Sequence, residues 1–185
     1  MDYNREFDNH TATIVLDHGY HRHVRCRVKD QWHMAFDVVT WPGYLSISGD
    51  MGTFVFSRID DMFKFFRGQF DNPNLGYWAE KLTAVCRTDG YEKFSHEKFA
   101  ERVREQIEEC QSDDFKSDVE SVLSGMEDYT EVELLRQLSE IDDADHWFSD
   151  FCEVRTNEYT VRYQWVCHAI PWAIAQYDKQ KGGEA

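Results

Sequence analysis

The chain has 185 residues, 42% of them hydrophobic and 15% aromatic, and a formal net charge of −15. That is one domain's length, with enough aromatic area for a core at roughly 1.5–3 kcal/mol per buried side chain, so folding requires neither metal nor disulfide. The acidic balance argues against direct nucleic-acid binding, no apolar run approaches the roughly 20 residues of a membrane-spanning helix, and the polar opening MDYNREFDNH lacks a secretory pattern. A cytoplasmic protein that avoids membranes is expected.

The first third reads as strands. ATIVLD (12–17) is apolar and β-branched, and HGYH turns at Gly19. In YHRHVRCRV (20–28), Tyr20, Val24, Cys26 and Val28 fall on one face and His21, His23, Arg25 and Arg27 on the other, the two-residue period of a strand. HMAFDVVT (33–40), YLSIS (44–48) and TFVFS (53–57) continue the pattern. Trp41-Pro42-Gly43 makes a corner between strands, with Trp41 expected in the core or, as the alternative, exposed as an interface anchor, and SGDMG (48–52) is a glycine turn. About five antiparallel strands result over residues 12–57, in a meander.

At Ser57 the period changes. Ser57-Arg58-Ile59-Asp60 resembles a capping box, Met62, Phe63 and Phe66 recur at helical spacing, and Gly68 can close that helix. Residues 77–87 fit a helix through Trp78, Leu82 and Val85, and equally a strand through Leu82, Ala84 and Cys86. From Ser95 the chain reads as helices. Phe99, Val103, Ile107 and Cys110 form one apolar stripe, and Phe115, Val119, Val122 and Leu123 another that Gly125 ends. Thr130-Glu131-Val132-Glu133 is a full capping box, and Trp147, Phe148 and Phe151 mark a short aromatic helix. The last helix, 159–178, holds Pro171, which predicts a kink or break near 168–171. The expected fold is α+β. It is a single domain over 1–185, with a sheet-rich part over 1–90 and a mostly helical, acidic part over 91–185.

Charge is uneven along the chain. Residues 1–90 hold 12 acids and 10 bases, whereas 91–158 hold 21 acids and 7 bases. The candidate partner-binding set is therefore acidic: Glu105, Glu108, Glu109, Asp113, Asp114, Asp118, Glu120, Glu127, Asp128, Glu131, Asp142 and Asp143. Such a field attracts basic surfaces, and aligned carboxylates could approximate the phosphate charge of a duplex. An alternative phosphate- or nucleotide-binding set, with hydrolysis as an extension, is the strand face of His21, His23, Arg25 and Arg27, where arginines could grip phosphate bidentately. A metal there would need a further ligand such as Asp37 or His33, and none is expected.

Other chemistry lacks its pattern. SGDMG has neither the glycine order of a dinucleotide loop nor the Lys-Ser/Thr end of a P-loop, so Asp50 reads as a turn residue. No nucleophile elbow or His-Glu-x-x-His run is present, and Cys167 and His168 are neighbours that diverge on a helix. Cys26, Cys86, Cys110, Cys152 and Cys167 are scattered, which suits reduced, mostly buried thiols. No catalytic residue and no cofactor is assigned.

The run TWPGYLSISGDMGTFVFSRIDDMFKFFR, with NLGYWAEKL, GYEKFS and YTVRYQWVCHAIPWAIAQYD, resembles a group of small phage- and prophage-encoded proteins across nearly the whole chain. The resemblance implies a phage origin and no catalytic residues. With the charge pattern, it leads to the expectation of a non-catalytic protein that binds a host protein with a basic or nucleic-acid-binding surface. The expected target is a nucleic-acid-directed defence complex in the host cytoplasm, inhibited in the manner of an anti-CRISPR or other anti-defence protein, with nucleic-acid mimicry as one route.

Overall fold

The computed structural model describes residues 3–31 and 33–182. After a one-turn helix α1 (Tyr3–Glu6), the alternating segments form a sheet of β1 (His10–His18), β2 (His21–Val28), β3 (Phe36–Trp41), β4 (Tyr44–Gly49), β5 (Gly52–Ser57) and β6 (Leu82–Ala84). Each strand pairs antiparallel with the next in chain order, so the sheet is a meander of six strands rather than about five. The extra strand, β6, is three residues long and meets β5 at Val55↔Ala84 and Phe56↔Leu82. Three residues are too few to show a period. The ambiguous segment divides: helix α3 (Leu75–Ala79) precedes β6.

One face of this sheet makes the core. Val24, Cys26, Phe36, Val38, Leu45, Ile47, Phe54 and Phe56 are buried against Met62, Phe63 and Phe66 of helix α2 (Met62–Phe66), Trp78 of α3, and the long closing helix α8 (Val161–Gln180). α2 starts later than the Ser57–Asp60 pattern suggests. Ser57 is still paired with Tyr44 in the sheet, and Asp61 is the true cap, its carboxylate accepting the Phe63 amide. The same carboxylate binds Arg22 of β2 at 2.6 Å, under the rings of Phe63 and Tyr177. α8 spans about 30 Å at 1.5 Å per residue and stays helical through Pro171, so the expected break does not occur. The proline costs one intrahelical bond. Buried Trp165, Ile170, Ile174 and Tyr177 on both sides of it hold the helix to the core. Tyr177 also donates to Asp17 of β1, and Arg67 forks onto Asp178 at 2.7 and 2.9 Å.

The chain forms two compact units: Met1–Tyr91 with Tyr159–Ala185, and Glu92–Glu158. The helical part expected over 91–185 is thus shared between them, because α8 belongs with the sheet. The second unit contains β7 (Glu92–Phe94), α4 (His96–Gln106), α5 (Asp113–Ser124), α6 (Glu131–Ser139) and α7 (Ala144–Phe148). It ends in β8 (Asn157–Tyr159), which pairs with β7. It has its own core, in which Phe99, Val103, Ile107, Phe115, Val119, Leu123, Leu134, Leu138 and Phe151 are buried. Both expected helical stripes are in it.

Candidate functional site

The acidic unit presents carboxylates because its helices spend their apolar faces on that core. α4 starts at Ser95, whose hydroxyl accepts the Lys98 amide. With Phe99, Val103 and Ile107 inward, the spacing places Glu97, Glu101, Glu105 and Glu108 on an outer stripe. These four line one open groove together with Ser95, Lys98, Arg104 and Glu158. Four carboxylates over the twelve residues from Glu97 to Glu108, the last just past the end of α4, give about one per 5 Å, sparser than the roughly one charge per 1.7 Å of a duplex. α4 alone does not reach duplex charge density.

α5 adds Asp113 and Asp114 in its first turn, where acids complement the helix dipole. Asp114 and Asp118 share a second hollow with Asp142 and Asp143, floored by Phe115 and Trp147. Asp143 begins α7 in a left-handed conformation with φ of 66° and no side-chain cap bond. Other members of the acidic set are committed locally. Glu120 takes a fork from Arg104 at 2.7 and 2.8 Å, joining α5 to α4, and that pairing holds its carboxyl below the ordinary value. Glu131 accepts the Thr156 hydroxyl. Glu105 pairs with Arg102 along its own helix. Glu109, Glu127 and Asp128 are exposed, the last two in a 3-10 turn over Met126–Asp128. The structure therefore groups Glu105 with Glu108, and Asp114 and Asp118 with Asp142 and Asp143. Glu97 and Glu101 were missed from sequence because they precede the densest acidic window, although their four-residue spacing to Glu105 was readable.

The basic strand face turns onto a single carboxylate. Asp37 on β3 receives His23 at 2.6 Å, Arg25 Nε at 3.2 Å and Arg27 Nη2 at 2.6 Å. Burial pushes the Asp37 carboxyl up, but the bonds from Arg27, His23 and Arg25 outweigh it and hold the group below its ordinary value. Arg27 spends its other end on the carbonyls of Cys26 and Phe36. Arg25 gives only Nε and is 49% exposed, and His21 is exposed beside it on the same strand. Asp37 does reach the cluster, as a counter-ion. Among the described residues, no group of three or more His, Cys, Asp or Glu has an arrangement able to hold a metal.

The two glycine-rich features are both turns. Asp50 and Met51 link the paired Gly49 and Gly52, and the Asp50 backbone is tied to Ala35 and Arg162. Trp41 is not in the core as expected. It is 36% exposed and stacks on Tyr44, 38% exposed, across the hairpin, with centroids 5.3 Å apart and an interplanar angle of 14°. Its strand alternation explains the difference: Phe36, Val38 and Thr40 point inward, so Asp37, Val39 and Trp41 point out.

Comparison with protein-family models, with curated proteins and with solved structures finds no match for this chain. Among the described residues, no helix is long and apolar enough to cross a membrane.

Proposed function

We propose that this is a phage-encoded, non-catalytic protein whose acidic unit binds and inhibits a host protein that handles nucleic acid, in the manner of an anti-CRISPR or another anti-defence factor. One observation carries this reading. The compact unit Glu92–Glu158 holds 21 acids against 7 Lys and Arg, a net of −14, while the rest of the chain holds 14 against 13. The charge boundary and the structural boundary coincide. A surface made only for solubility has no reason to stop at a unit boundary. A unit that carries a field toward a basic partner does, since steering and register depend on complementary patches.

Charge density favours contact with a basic protein groove over full duplex imitation by any one helix. Mimicry would draw on both acidic groups, the α4 stripe and the Asp114/Asp118/Asp142/Asp143 hollow. The phage setting rests on the resemblance of the WPGYLSISGDMGTFVFSR run.

The test is affinity capture by the full chain from host cells that carry nucleic-acid-directed defence systems, at 50 mM and 500 mM salt. The expected result is a basic partner retained at low salt and depleted at high salt. Recovery of no partner under either condition contradicts the proposal.

A further inference from the structure

The six-stranded sheet has a second face, turned away from the core, on which none of the described residues is buried. Register makes this face readable. Its first row, at the hairpin end, runs His18, His21, Trp41, Tyr44 and Ser57 across five strands. His18 faces His21, Trp41 faces Tyr44 and Tyr44 faces Ser57, while His21 and Trp41 each follow the paired Arg22 and Thr40. The second row holds Leu16, His23, Val39, Ser46 and Val55, and the third Thr13, Arg25, Asp37, Ser48 and Thr53. A β-bulge at residue 15 puts Leu16 on this face.

We propose that this face is a binding platform for single-stranded nucleic acid, with bases on the Trp41–Tyr44 stack and a backbone phosphate at Arg25. Four observations support it. The two aromatic rings are set in advance: their hairpin turn is held by Gly43 donating to the Asp60 carbonyl and accepting from the Arg58 amide. Each ring turns one side to the other and keeps over a third of its surface in solvent, the arrangement that lets bases stack without sequence preference. Arg25 stands about 13 Å along the strands, two rows away, with both Nη groups making no hydrogen bond to the described residues and only Nε spent on Asp37. With neutral imidazoles, Arg25 and Arg27 against Asp37 leave this patch a net charge of +1.

The fourth observation is where the opposing charge lies. Whole-chain charge argues against nucleic acid, but the unit bearing this face is nearly neutral, at a net of −1. A flat open sheet cannot accept a duplex, whose bases are stacked on one another, whereas a single strand can splay its bases onto rings. Stacking supplies the affinity, with one or two phosphates neutralised, so the salt dependence is shallow.

The test uses the full chain and fluorescein-labelled 15-mers of dT and of U, with a duplex of equal length, by anisotropy at 50 to 200 mM salt. Both single strands should bind and the duplex should not. Affinity should change less than about sevenfold over that salt range. Trp41→Ala and Tyr44→Ala should each weaken binding roughly 5- to 150-fold, the range for loss of one base stack, while Trp41→Phe should retain most of it. Thermal melts identify any variant that fails to fold, and Arg25→Ala, which removes no core side chain, then serves in its place with an expected severalfold loss. Absence of binding by the wild type, equal binding of the duplex, or binding unaffected by Trp41→Ala overturns the proposal. So does capture of a polypeptide on this face that those oligonucleotides do not displace.

Discussion

Gly49 and Gly52 flank the two-residue turn between β4 and β5, and each excludes a side chain for a different reason. A Cβ on Gly49 would lie 2.0 Å from the Ala35 carbonyl oxygen and 2.7 Å from the Phe36 Cα, both backbone atoms that cannot swing away. A Cβ on Gly52 would meet the Cys86 sulfur at 2.6 Å, at a φ of +93°. Gly43 has a φ of +83° but open space around it. Gly49→Ala and Gly52→Ala should therefore cost roughly 2–4 kcal/mol each in urea unfolding, through overpacking and strain, and Gly43→Ala only about 1–2 kcal/mol. Equal losses at all three positions would contradict this account. His168 gives a pH prediction at the same scale. It stacks on Tyr3 at 4.0 Å, and burial lowers its pKa despite a bond to the Phe70 carbonyl that raises it. The unfolded chain protonates this imidazole first as pH falls through about 6.5, so its contribution to stability is full above that value and is lost as pH drops through the lower folded one. The wild type's Tm advantage over His168→Gln should shrink between pH 7 and pH 5. A constant difference would show that His168 does not titrate in this way.

Among the elements, α6 is the one whose start is written most fully in the chain. Thr130 accepts the Glu133 amide while the Glu133 carboxylate accepts the Thr130 amide, closing the box. Thr130→Ala should cost about 1 kcal/mol in the chemical unfolding of the protein, and Thr130→Ser much less. A loss below about 0.3 kcal/mol would mean that α6 is held by packing alone. Legibility followed repeat length. Long periodic segments, namely the first five strands, α4, α5 and α6, could be read directly because many residues vote for one period. The three-residue strand β6 and the five-residue helix α3 could not, since one turn or three residues fit either pattern, whereas α2 was legible from Met62, Phe63 and Phe66 and only its start was misplaced. Pro171 does not break α8 because its local cost is outweighed by burial across a distance that sequence does not display. Trp41 misled because hydrophobicity alone favours burial, and only the strand's phase, set by Phe36 and Val38, turns it outward. Asp37 could be named only as a possible metal ligand beside the basic strand; its role as a shared counter-ion depends on the β2–β3 register.

At the scale of the whole molecule, the division of charge was visible as a composition change near residue 91, but its meaning was not. Sequence could place the acids on helices. It could not show that the chain leaves the sheet fold at Glu92, builds a separate core and rejoins at Tyr159. That return converts an acidic stretch into an acidic unit, and it leaves the sheet unit almost neutral. Two surfaces of different chemistry follow: a carboxylate-rich one, which we propose meets a basic partner, and an exposed aromatic face, which we propose takes a single strand. They can be tested apart, because neither residue set overlaps the other. The most direct measurement of the central claim is the association rate of the captured host partner with the wild type and with a variant carrying Glu101→Lys, Glu108→Lys, Asp114→Lys and Asp118→Lys. These four side chains are exposed and make no hydrogen bond or ion pair with the described residues, so the unit's core is untouched. The account predicts a folded variant whose association slows at least tenfold at 50 mM salt, with the gap closing toward 500 mM. An unchanged association rate in a folded variant would contradict it and remove the acidic unit from the interface.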